Sequence, residues 1–226
     1  MHIPDGFLNA GTSVVTGAAS AGAVGYGLYR ARKELDEKRV PLLALCAAFV
    51  FAAQMLNFPV AGGTSGHFLG GVLVGVLLGP WLGSLVIALV LLVQALGFAD
   101  GGVTALGANV FNMALIGTVL SYFIFMGIKG LLPKNRAAFL GSVAAASWLS
   151  VMLASGACAV ELAVSGTSPL SVALPAMLGV HAIIGIGEAV ITTAVVAVVL
   201  QVRPDLVSSW NLPASERLRF EAEGVS

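Results

Sequence analysis

HFLGGVLVGVLLGPWLGSLVIALVLLVQALGF, residues 67–98, is too long for one membrane crossing and short for two. A helix needs about 20 apolar residues to cross a hydrocarbon core of roughly 30 Å. Gly79-Pro80 in its middle reads equally well as a kink in one helix or a turn between two. The other apolar runs are unambiguous single spans: 11–30, 40–57, 109–128, 137–160 and 172–200. The chain therefore crosses six times or seven. Charge decides between them, because cytoplasmic loops collect Lys and Arg. With the N-terminus outside and seven spans, all eleven basic residues (30, 32, 33, 38, 39, 129, 134, 136, 203, 217, 219) lie inside. With six spans, the last six of them lie outside. Seven spans is the consistent reading.

Composition supports lipid as the solvent. Of 226 residues, 58% are hydrophobic and only 10% charged, against roughly 25% charge in soluble domains; the mean hydropathy is +0.98. The expected fold is an all-α integral membrane protein of seven helices. Its N-terminus lies outside and is folded into the bundle, and its C-terminus is cytoplasmic. Residues 1–203 form one transmembrane domain with an N-terminal segment 1–9, and 204–226 form a cytoplasmic tail. Zero net charge gives no footing for nucleic acid. Cys46 and Cys158 sit in apolar runs and read as small buried hydrophobes. No Gly-x-x-x-x-Gly-Lys-Ser/Thr loop is present, so nothing in the chain binds nucleotide.

The polar chemistry gathers towards the outside. His2 follows the initiator methionine, His67 ends AGGTSGH at the outer end of the third span, and His181 lies in GVHAIIGIGEAV on the seventh. Gln54, Asn57, Asn109 and Asn112 share this depth. Asp5, Asp100 and Glu161 lie in external segments, making an acidic mouth that favours cations. Glu188, seven residues after His181, shares its helix face. An ionisable group inside a span points to function by default. Helix packing accounts equally well for His181 and Glu188, and interhelical hydrogen bonding accounts for Asn57, Asn109 and Asn112.

The opening MHIPDG has its own chemistry. No Lys or Arg precedes residue 30, so no secretory signal is expected; a large second residue is expected to protect Met1 from aminopeptidase. The α-amine, the His2 peptide nitrogen and His2 Nδ1 close a five- and a six-membered chelate ring around one metal, with almost no loop-closure cost. A fourth nitrogen from His67 completes a square plane, the geometry of Ni(II) or Cu(II). Pro4 stiffens the turn after the chelate, and Asp5-Gly6 bend the chain back.

MHIPDGFL, GGTSGHFLGG and the seven-span layout together resemble the substrate-binding (S) components of energy-coupling-factor nickel and cobalt transporters, over essentially the whole chain. The resemblance implies capture of Ni2+ or Co2+ as transported substrate, with no catalytic cofactor, in a prokaryotic cell membrane. It implies ligands from Met1 (amine), His2 (peptide nitrogen and imidazole) and His67. Asp5, Asn57, Ser65, Asn109, Asn112, His181 and Glu188 are, as polar residues of the same end, candidates for the surrounding shell. The resemblance implies partners: a transmembrane coupling (T) subunit, two ABC-type ATPases and a small accessory membrane protein. The chain itself is then not an enzyme. Ala44, Ala48 and Ala52, four apart on the second span, fit the small-residue contact to the T subunit, although ordinary intramolecular packing explains the spacing as well. Nickel is favoured by the planar donor set and by the Irving–Williams order. Two rival readings remain open on sequence. One is a rhomboid-like serine protease with a Ser65–His181 dyad in GTSG; the other is a proton-coupled carrier using His181 and Glu188.

Overall fold

The computed structural model describes residues 1–35 and 39–210. Its helices are α1 (Ala10–Glu34), α2 (Val40–Gln54), α3 (Gly71–Leu78), α4 (Pro80–Gly97), α5 (Leu106–Val110), α6 (Ser121–Leu131), α7 (Arg136–Val164) and α8 (Leu170–Val202). A π-helical stretch, Phe111–Leu120, joins α5 to α6 in one continuous rod. Two short strands, β1 (Asn57–Pro59) and β2 (Ser65–His67), pair antiparallel with Asn57 opposite His67. Among the described residues, four helical rods are long and apolar enough to cross a membrane: Pro80–Gly97, Leu106–Leu131, Arg136–Val164 and Leu170–Val202; α2 is a shorter apolar helix.

The run 67–98 breaks at Gly79-Pro80, as the charge argument requires. Gly79 takes φ +87°, open to a glycine but strained for a side chain, and Pro80 opens α4, where its missing N–H costs nothing. The third passage departs from expectation. It is no full-length helix beginning at His67. The chain enters as the β-hairpin, passes through Phe68–Gly70 without regular secondary structure, and only then forms the eight-residue α3, all of which is buried. At 1.5 Å per residue, α3 is about 12 Å long. Gly71 explains the tight fit: a Cβ there would lie 2.2 Å from the Gly117 carbonyl oxygen on the π-helical stretch.

The bundle has two chemically distinct ends. Arg30, Arg32, Lys33, Arg39, Lys129, Lys134, Arg136 and Arg203 all lie where α1, α6 and α8 finish and α2 and α7 begin. There, residues 204–210 fold back: Ser208 and Ser209 donate their backbone N–H to the Leu77 and Val76 carbonyls, closing the C-terminal end of α3. Lys129 donates to the Ser209 carbonyl at 2.5 Å, and Trp210 packs edge-on against Phe139. The expected tail beyond Trp210 lies outside the described residues. At the opposite end gather the N-terminal segment, the hairpin, the 98–105 loop and the α7–α8 turn. Thr167 Oγ1 donates to the Phe7 carbonyl, and Asn9 Nδ2 to the Val164 carbonyl.

Glu161 is a second correction. It is not in an external loop: α7 continues to Val164, and Glu161 is a buried helical residue accepting from Asn112 Nδ2 at 2.6 Å. A buried carboxylate needs a donor, and the π-helical stretch turns Asn112 towards it.

Candidate metal centre

The first three residues are core, not tail. Met1 and Ile3 are fully buried and His2 is 4% exposed. Two clamps hold them. Asn109 brackets Ile3, accepting its N–H at 2.8 Å and donating to its carbonyl at 3.1 Å, while Gly102 N–H donates to the same carbonyl at 2.8 Å. Asp5 Oδ1 then accepts from both the backbone and the hydroxyl of Thr104. Gly102 is required where it stands, because a Cβ would meet Asp5 N at 2.3 Å.

Ser65 on β2 receives the chain start. The Met1 amine donates to the Ser65 carbonyl at 2.6 Å and to Oγ at 3.1 Å, and His2 N–H donates to the same Oγ at 3.1 Å. Burial pulls the Met1 amine from 8.0 down to about 5, so at neutral pH it stands as the free base with its lone pair available.

Two imidazoles complete the arrangement. His2 and His67 lie with ring centroids 4.4 Å apart and planes 19° from parallel. Each has one nitrogen engaged. His67 Nδ1 is 2.7 Å from the Phe68 carbonyl, an acceptor that places the proton on Nδ1 and leaves Nε2 as a bare lone pair; Nε2 has no partner. His2 Nε2 is 3.1 Å from Gln94 Oε1, while Nδ1 approaches Asp100 Oδ1 at 3.2 Å without an aligned hydrogen bond. The nitrogens without a hydrogen-bond partner are thus opposite ones, Nδ1 of His2 and Nε2 of His67. Burial is the main force lowering both imidazole pKa values, so both rings are neutral. Burial pushes the Asp100 carboxyl up, but contacts from the His2 ring and from Asn57 Nδ2 hold it below the ordinary carboxylate range.

The remaining candidates divide cleanly. Glu188 accepts from the Leu69 and Gly70 N–H groups, both at 2.7 Å, and Gln54 donates to the Leu69 carbonyl at 2.8 Å. Together they clasp the irregular backbone that follows His67. Asn57 donates to both Asp100 oxygens, at 3.3 and 3.4 Å. Asn112 belongs to Glu161. His181 Nδ1 is committed to the Met177 carbonyl one turn back, and the Ser65 hydroxyl is engaged by the Met1 amine and the His2 N–H rather than by His181. Ala44, Ala48 and Ala52 are exposed on α2.

Gln94 was missed by sequence reasoning. A single amide in LVLLVQALGF carried the signal of a polar residue inside a span, but nothing in the pattern aimed it at His2. Over these groups opens a cavity of about 650 Å³ lined by His2, Asp5, Asn57, Ser65 and Asp100. Among the described residues no three His, Cys, Asp or Glu side chains converge as a metal site.

Comparison with known proteins agrees with this architecture. Residues 2–206 match the model of the family "Cobalt uptake substrate-specific transmembrane region". The chain is 41% identical, over its whole length and 74% of the relative's, to "Putative fused nickel transport protein NikMN" of Archaeoglobus fulgidus. It is 32% identical over the full length of both chains to "Putative cobalt transport protein CbiM 2" of Methanocorpusculum labreanum. A crystal structure described as a truncated transition metal transporter superposes with a TM-score of 0.83 at 38% identity, covering 89% of this chain and 99% of that one. The chain belongs to the cobalt uptake substrate-specific transmembrane (CbiM) family.

Proposed function

We propose that the protein captures a divalent transition metal ion, Ni2+ in preference to Co2+, as the substrate-specificity subunit of an ATP-driven energy-coupling-factor transporter. The ion is its cargo, held by the Met1 amine, the His2 peptide nitrogen, His2 Nδ1 and His67 Nε2. The observation that carries this reading is the juxtaposition of the two rings with the chain start. Imidazoles bound at adjacent corners of a square plane, each nitrogen about 2.0 Å from the metal, have centroids about 4.5 Å apart. The His2–His67 separation is 4.4 Å. Each ring's second nitrogen is engaged by an acceptor, the arrangement that fixes tautomer and orientation in metal-ligating histidines.

The acidic end, carrying this site, faces outward and the basic end faces the cytoplasm of a prokaryotic cell. The chain's own residues hold no nucleotide loop, so energy comes from two ABC-type ATPases on separate chains, through a T subunit and with a small accessory membrane protein. The exposed Ala44–Ala48–Ala52 face of α2 is where the T subunit docks. Four nitrogens in a plane favour Ni(II). Metal analysis of the untagged chain tests the site. About one Ni2+ per chain is expected, abolished both by one extra residue before Met1 and by His67→Ala. Full occupancy of the extended variant refutes the chelate.

A further inference from the structure

We propose that Asp100 is the counter-ion of the bound metal, bringing the loaded site to zero net charge and so selecting a divalent ion. This rests on the four-nitrogen reading above. Count the charges in that reading: the metal brings two positive units, and the His2 peptide nitrogen, which gives its proton to water on binding, brings one negative unit. The amine and both imidazoles bind as neutral donors. One positive unit is left over among groups that are almost wholly buried, where an unpaired charge is heavily disfavoured. A single carboxylate in contact cancels it.

The geometry singles out Asp100. Its Oδ1 is 3.2 Å from His2 Nδ1, and both oxygens are steadied by Asn57 Nδ2 at 3.3 and 3.4 Å. The other carboxylates nearby are committed elsewhere: Asp5 to Thr104 at the exposed rim, Glu188 to the Leu69 and Gly70 N–H groups, Glu161 to Asn112. Asp100 also lines the cavity above His2, so the same charge attracts the arriving cation and neutralises the bound one.

The test is Ni2+ titration of the full-length, untagged protein in detergent, with Asp100→Asn, Asp100→Glu and Asn57→Leu. Asp100→Asn should weaken binding about 10–100-fold, the range for partners behind the ligands. At saturation its visible ligand-field absorption should match the wild type, because the plane is unchanged. Its association rate should lose most of the wild-type dependence on ionic strength. Asp100→Glu keeps the charge and should keep most of the affinity and the salt dependence. Asn57→Leu should weaken binding alone and add nothing in the Asp100→Asn background. Wild-type affinity in Asp100→Asn overturns the proposal; so does a shifted absorption band, or an Asp100→Glu variant as weak as Asp100→Asn. His67→Ala run in parallel separates the two readings. If it still binds, the four-nitrogen site falls; if it fails while Asp100→Asn binds normally, only the counter-ion falls.

Discussion

Replacing Gln94 by leucine removes one side-chain oxygen, 3.1 Å from His2 Nε2, from a fully buried position of α4. As an acceptor, the native amide oxygen favours the imidazole proton on Nε2 and a bare Nδ1. Without it, a buried Nε2–H has no acceptor, while Asp100 Oδ1 waits 3.2 Å from Nδ1. The ring should change tautomer and donate from Nδ1 to the carboxylate. A hydrogen bond to a charged acceptor is worth about 1.5–3 kcal/mol, and the metal must reverse it before Nδ1 can bind. At about 1.4 kcal/mol per factor of ten, Gln94→Leu should weaken Ni2+ binding about 10–100-fold. Competition titration against a chelator reads the affinity, and nitrogen NMR of labelled His2 reads the tautomer. Gln94→Glu, which still accepts from Nε2–H, should retain the native tautomer. Because Asp100 supplies the competing acceptor, losses in Gln94→Leu and Asp100→Asn should combine to less than their sum. Binding by Gln94→Leu within about twofold of wild type, the ordinary noise of such cycles, refutes the reasoning.

Other substitutions separate the parts of the site. Glu188→Ala orphans the Leu69 and Gly70 N–H groups, and at about 1–3 kcal/mol per buried unpaired group it should lower the thermal midpoint clearly; Glu188→Gln, with one acceptor oxygen, should fall between. Gly102→Ala places a Cβ 2.3 Å from Asp5 N and should expel the N-terminal segment, reducing metal binding while the helices stay folded, as limited proteolysis and circular dichroism will show. Asn112→Ala strips the donor from Glu161 and should cost about 1–3 kcal/mol of stability with Ni2+ affinity unchanged, since Asn112 touches none of the proposed ligands.

Part of the proposed site could be read before the structure. The position of His2 behind the amine is covalent, so its chelating capacity is local chemistry, legible in two letters. His67 was legible as a partner through its depth and its motif. Gln94 and Asp100 were not, because their roles depend on which ring nitrogen each faces, and no spacing in sequence encodes that. Glu188 was visible as an intramembrane acid, but its task, holding two backbone N–H groups after the hairpin, appears only when residues over a hundred positions apart meet.

Sequence by itself determined the solvent, the break at Gly79-Pro80 and the segregation of basic residues to one end, because hydropathy, proline stereochemistry and charge act residue by residue. Tertiary structure alone decided that the third passage is a hairpin followed by eight buried helical residues, and that Glu161 belongs to α7. It also decided which nitrogen of each imidazole is left without a hydrogen-bond partner. Those outcomes depend on satisfying buried donors and acceptors across the bundle. Hydrogen bonding of that kind is a property of the packed whole, and no single segment carries it.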